Sequence, residues 1–153
     1  MTKLELKIPP LLLVLIFATL MWLFQPFLPV KLYGQFVAQL LFVFFALVGG
    51  LIIFTGALAF KKAQTTVNPT KPETTSSLVK IGIYHFTRNP MYLGMACCLI
   101  GWGFYLSNPN AIIFILGFIF YINRFQIKPE EKILTDMFQQ EFIDYCTSVR
   151  RWL

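Results

Sequence analysis

Residues 89–123 read "NPMYLGMACCLIGWGFYLSNPNAIIFILGFIFYIN" and contain no charged side chain. A helix needs roughly 20 apolar residues to cross a bilayer. This stretch is too long for one crossing, and Ser107-Asn108-Pro109-Asn110 interrupts it with a cluster of turn-forming residues. The pattern predicts two short spans joined as a tight hairpin. Residues 8–30 and 32–60 are also free of charge, and each fits one further span. The expected architecture is an all-α integral membrane protein with four transmembrane helices, at about 8–30, 36–60, 90–106 and 110–127.

Composition agrees. The chain has 153 residues, enough for a single domain. It is 57% hydrophobic and 13% charged, against roughly 25% charged in an ordinary soluble domain. Lys3 and Lys7 before an apolar run resemble a signal peptide. The run is long and no small-x-small cleavage site follows it, so it is read as the first span. Of the 13 basic residues, only Lys31 lies on the opposite side when both termini are placed in the cytoplasm. The net charge of +6 is then a topology signal and an attraction to anionic lipid, and it does not point to nucleic acid. Cys97, Cys98 and Cys146, with a lone His85, have no metal-ligand spacing, and the cysteines read as small apolar filler.

Pro26 and Pro29 end or kink the first span. Gly49, Gly50 and Gly56 give the second span small faces for close helix contact. Residues 61–89 form a cytoplasmic connector, rich in threonine and proline at first and apolar again from Leu78. Span three starts at Pro90, with Asn89 expected to cap it. Gly94, Cys98 and Gly101 form a small-residue face expected to pack on span four. After residue 127, Ile133, Leu134, Met137, Phe138, Phe142, Tyr145 and Val149 recur at helical spacing. That spacing predicts an amphipathic helix over about 130–148, lying at the interface or folded against the bundle. Arg150, Arg151 and Trp152 suit a headgroup anchor.

Three polar groups converge on one membrane face: residues 84–92, Asn123 with Arg124, and Glu130 with Glu131. Taken singly, each has a structural reading. Arg88 and Arg124 snorkel, Glu130 and Glu131 begin a helix, and His85 sits at the interface. Together they form a candidate site where lipid-borne substrates would meet water.

"LVKIGIYHFTRNPMYLG", followed about forty residues later by "PEEKIL" and a spaced Phe, Tyr and Val, resembles the isoprenylcysteine carboxyl methyltransferase and phospholipid methyltransferase superfamily. The resemblance covers residues 78–153, about half the chain. It implies an integral membrane enzyme using S-adenosylmethionine and releasing S-adenosylhomocysteine. It implies that Leu78, Val79, Gly82 and Tyr84 line the cofactor pocket. Arg88, Asn89, Pro90 and Tyr92 would form its binding turn, and Glu130 or Glu131 would hold the ammonium. Arg124 falls where a basic residue near the substrate is expected. The chain departs from the family pattern at Gln139, where glycine is usual after Phe138, at Phe142 in place of tyrosine, and at Ser76 in place of histidine.

These residue types suit the cofactor. A carboxylate complements its ammonium, arginine its carboxylate, and tyrosines its adenine and sulfonium. A carboxylate acceptor needs no base, whereas a lipid amine or a small thiol would need His85 or Glu131 to take a proton. The expected function is methyl transfer to a lipophilic acceptor, with no metal required. The alternative is a non-catalytic lipid-binding or assembly protein on the same scaffold.

Overall fold

A computed structural model describes residues 5–25, 34–64 and 76–153. Pro26, Pro29, Lys3, Lys31 and most of the threonine-rich connector lie outside the described residues. The described chain is helical, with no strand. Its elements are α1 (Pro10–Phe24), α2 (Gln35–Lys62), a 3₁₀ turn (Gly82–His85), α3 (Pro90–Tyr105), α4 (Ala111–Ile122), a π turn (Asn123–Ile127) and α5 (Lys128–Ser148).

Two helical segments are long and apolar enough to cross a bilayer. One is α2. The other is the continuous run Ala111–Ser148, whose apolar part ends at Ile127, before Lys128, Glu130 and Glu131. α1 and α3 are shorter apolar helices. α2 leaves much of its apolar surface uncovered, with Phe36, Leu47 and Phe54 at least 60% exposed. Such a face is expected of a helix solvated by lipid.

The hairpin forms at the interruption seen in the sequence. Ser107 takes φ 51°, and Asn108 Oδ1 accepts the Asn110 N–H at 2.9 Å, closing an Asx turn. α3 and α4 then share a core with α1 through Leu99, Phe118, Ile122, Leu13 and Met21.

The small-residue face of α3 packs on α2, not on α4 as its sequence position suggests. A Cβ on Gly49 would lie 2.6 Å from the Gly94 carbonyl oxygen, and one on Gly94 would lie 2.6 Å from that of Gly49. Only paired glycines let the two backbones approach this closely. A Cβ on Gly101 would likewise meet Phe45 of α2 at 2.9 Å. α4 reaches α3 at Gly103, through Ala111.

α4 and α5 are joined through the π turn instead of being separate helices. Pro129 has no N–H to give to the carbonyl of Phe125, four residues back. That carbonyl takes the Leu6 N–H instead, at 3.0 Å. The widened turn is the local answer to a proline inside a continuous helix.

α5 itself breaks at Gln139, whose φ of 45° and ψ of −121° favour glycine. This is the position where the resemblance implies a glycine. Replacing Gln139 by Gly is expected to stabilise the protein by about 1 kcal/mol, the cost of a non-glycine residue held in a sparse region. Thermal unfolding in detergent checks it. By the same measurement, Gly49→Ala should destabilise by about 1–3 kcal/mol through overpacking. Gly50→Ala, with open space at its Cβ, should be neutral or mildly stabilising.

Candidate functional site

The fold encloses a cavity of about 540 Å³. One end of it is polar. The 3₁₀ turn supplies Tyr84, the approach to α3 supplies Arg88 and Asn89, and Tyr92 stands on the first turn of α3. Glu130 and Glu131 enter from the first turn of α5, and Tyr145 from its last. The other end is apolar. Its lining includes Pro10, Leu11 and Val14 of α1, Ile53 of α2, and Met95 and Cys98 of α3. The two ends are continuous.

Glu131 organises the charges. Arg151 forks onto it, Nε to Oε1 at 3.0 Å and Nη2 to Oε2 at 2.6 Å. Arg88 Nη2 lies 3.3 Å from the same Oε1. Arg88 Nη1 donates to the Cys146 sulfur. Its third nitrogen, Nε, is buried and has no hydrogen-bond partner among the described residues. Cys146 is therefore a polar contact of the site, and not the apolar filler its sequence setting suggests.

Glu130 is placed differently. It accepts the Tyr92 hydroxyl at 2.5 Å and forms no ion pair among the described residues. Burial pushes its carboxyl up to about 8, the Tyr92 bond opposes the shift and Glu131 adds to it. At neutral pH it is mostly protonated. Tyr84 is buried, and desolvation raises its phenol well above the ordinary range. Its carbonyl accepts the Tyr145 hydroxyl at 2.7 Å, pinning the 3₁₀ turn to the end of α5.

Eight of the residues singled out from sequence line the cavity: Leu78, Val79, Tyr84, Arg88, Asn89, Tyr92, Glu130 and Glu131. Gly82 does not, but it begins the 3₁₀ turn at φ 61° and so sets how Tyr84 enters. Pro90 packs against α2, 3.3 Å from where Gly56 would carry a Cβ. His85 is exposed on the far side of the turn from Tyr84. Arg124 pairs with Glu5 at 3.4 Å and lies over the Phe125 ring, away from the cavity wall. Of the three side chains expected to take part in chemistry, only Glu131 faces the cavity.

Asn89 does not cap α3 with its side chain. Its Nδ2 donates to the Arg151 carbonyl at 3.0 Å, while Thr87 Oγ1 accepts its backbone N–H at 3.2 Å. Arg151 and Trp152 are likewise folded inward rather than free at a headgroup surface, Trp152 Nε1 donating to Asn123 Oδ1 at 3.1 Å. Leu134, Phe142 and Tyr145 were legible as an apolar stripe, and that stripe closes the cavity. Arg151 reads from the sequence as part of a headgroup anchor and not as a residue of the site.

A sequence profile of phospholipid methyltransferases matches residues 36–141, which run from α2 into α5 and include Arg88, Tyr92, Glu130 and Glu131, while the α1 lining and Phe142 and Tyr145 lie outside the matched region. The chain belongs to the phospholipid methyltransferase family. It is 39% identical over 83 residues to the protein-S-isoprenylcysteine O-methyltransferase of Saccharomyces cerevisiae, across 52% of this chain and 34% of that protein. The match thus spans about a third of the yeast enzyme. An uncharacterized protein of Haemophilus influenzae is 41% identical over 63 residues, 41% of this chain and all of that one. No solved structure matches.

Glu130 makes stability depend on pH. Its folded-state value lies above the ordinary 4.5, so the folded protein binds the extra proton between the two values. That contribution is complete below about 4.5 and is lost as pH rises through about 8. The thermal midpoint should fall over this window. In Glu130→Gln this part of the slope should vanish, and an unchanged slope would show that Glu130 is not the group responsible.

Proposed function

We propose that this member of the methyltransferase family is an integral membrane enzyme that transfers a methyl group from S-adenosylmethionine to a lipophilic acceptor. The observation that carries it is the single cavity joining an ionic end to an apolar end. A water-soluble charged donor and a membrane-soluble acceptor need such a meeting place.

The residues present fit the donor. Arg88 Nε is a buried donor without a partner, suited to a carboxylate oxygen. Glu130 lacks a cationic partner and suits an ammonium, toward which it would release its proton. Tyr84 and the wall formed by Leu78 and Val79 suit the nucleoside. When bound, S-adenosylmethionine supplies an electrophilic methyl group on a sulfonium. The task left to the chain is alignment and the exclusion of water. Phe142 and Tyr145 seal the α5 side, and Tyr92 holds Glu130 against the wall.

The apolar arm fits the acceptor. α1 packs on α3 and α4 rather than along α2, and Leu11 both lines the arm and is 65% exposed. A lipid-borne chain would enter between α1 and α2. The acceptor is a prenylcysteine-like carboxylate, a lipid amine, or a small hydrophobic thiol or acid. A carboxylate is already ionised at neutral pH. An amine or thiol would need a base, and of the two candidates His85 does not line the cavity, while Glu131 lines it but is held by Arg88 and Arg151. With four spans, the lysine and arginine distribution puts both termini and the ionic end on the cytoplasmic face.

Calorimetry with S-adenosylhomocysteine on the detergent-purified protein tests the reading. Binding should weaken by about tenfold or more in Arg88→Ala and Glu131→Ala, as expected for loss of a charged hydrogen bond, with helical content retained. Absence of binding to folded wild-type protein in detergent and in lipid would favour a non-catalytic lipid-binding role.

A further inference from the structure

Residues 149–153 form a strap that crosses the ionic end without lining the cavity. It touches three parts of the site. The Arg150 carbonyl accepts the Arg88 N–H at 3.0 Å. The Arg151 carbonyl accepts Asn89 Nδ2 at 3.0 Å and Thr87 Oγ1 at 3.3 Å. Trp152 holds the π turn through Asn123 at 3.1 Å. The strap's backbone therefore fixes the turn before α3, while its one inward guanidinium takes both oxygens of Glu131.

We propose that Arg151 is a positioning residue of the donor site, fixing the Glu131 carboxylate so that Arg88 keeps a donor free for the amino-acid end of the bound molecule. The proposal rests on the methyl-donor reading above. Glu131 Oε1 already receives Arg151 Nε at 3.0 Å, and Arg88 Nη2 stands further off, at 3.3 Å. Because Arg151 satisfies Oε2 as well, Glu131 has no open face on which to accept a second fork. Arg88 is held by one nitrogen to Glu131 and by another to Cys146, and its Nε stays unspent. Without Arg151, Glu131 would turn and pair with Arg88 through two nitrogens, the preferred geometry of an isolated arginine and carboxylate. The free donor would then be consumed inside the protein.

The experiment compares two probes on the intact chain. S-adenosylhomocysteine carries the amino-acid end, and 5′-methylthioadenosine shares the nucleoside but lacks it. In Arg151→Ala the first should bind about tenfold to a hundredfold more weakly, the range for a charged hydrogen-bond pair, while the second should stay within about twofold of wild type. Arg151→Lys keeps the charge without the fork, so a smaller loss confined to the first probe is expected, and this variant serves if the alanine variant folds poorly. Trp152→Phe breaks the Asn123 bond but spares Glu131, and it should change neither affinity. Equal loss of both probes in Arg151→Ala, or loss of neither, overturns the positioning role. Failure of wild-type protein to bind S-adenosylhomocysteine overturns the donor reading itself, a different outcome.

Discussion

Three charges meet where α3, α5 and the strap converge: Glu131 between Arg88 and Arg151. In a partly desolvated setting a lone carboxylate or guanidinium is costly, and removal of one partner leaves the others uncompensated. The cluster therefore acts as a register pin. It joins residues 88, 131 and 151, which lie far apart in sequence, and it fixes the turn before α3 against the start of α5. The cavity's ionic end exists because that pin holds its walls. Glu130, one residue away, stands outside it and, among the described residues, is bonded through its side chain to Tyr92. Two adjacent carboxylates thus acquire different settings, one held between two arginines, the other bonded to Tyr92 with its carboxyl pushed up by burial.

The apolar end has a different cause. The glycine contact between α2 and α3 brings those backbones together at Gly49 and Gly94. α1 is meanwhile committed to α3 and α4, with Trp102 Nε1 bonded to the Ala18 carbonyl at 3.0 Å. Helices drawn to opposite sides of α3 cannot also close on each other. The space left between them shares one cavity with the ionic end, and Met91 and Tyr92 of α3 line it.

Much of this was legible in the sequence because it rests on local patterns. Uncharged runs gave the helices, and the Ser107–Asn110 cluster gave the hairpin. Eight cavity residues came from two separated motifs. What failed depended on partners distant in sequence. Asn89 has the right type for a cap, but the Arg151 carbonyl takes its side chain. The stripe of Gly94 and Gly101 declared close packing without naming the partner, since glycine shows only that something approaches. Arg124 was placed by position after span four. The π turn carries it toward Glu5, because Pro129 shifts the helical register just where the chain leaves the apolar segment.

The departures from local preference are not scattered. The π turn at Asn123–Ile127, the uncapped start of α3 and the strained Gln139 all border the ionic end or the helix that closes it. Each gives up a small local stability, and sequences that agree with their fold at every level avoid such choices unless a site requires them. Here the requirement is geometric. A straight continuation from α4 into α5 would keep the Phe125 carbonyl within the helix and release residues 5–8 from the π turn. An unbroken α5 would run on straight past Gln139, whereas the break redirects the segment that carries Phe142 and Tyr145, both of which line the cavity. The bends bring a helix that began in the apolar layer back across the polar turn before α3. Under the proposed function, that path would let the chain enclose a charged donor at the edge of a membrane.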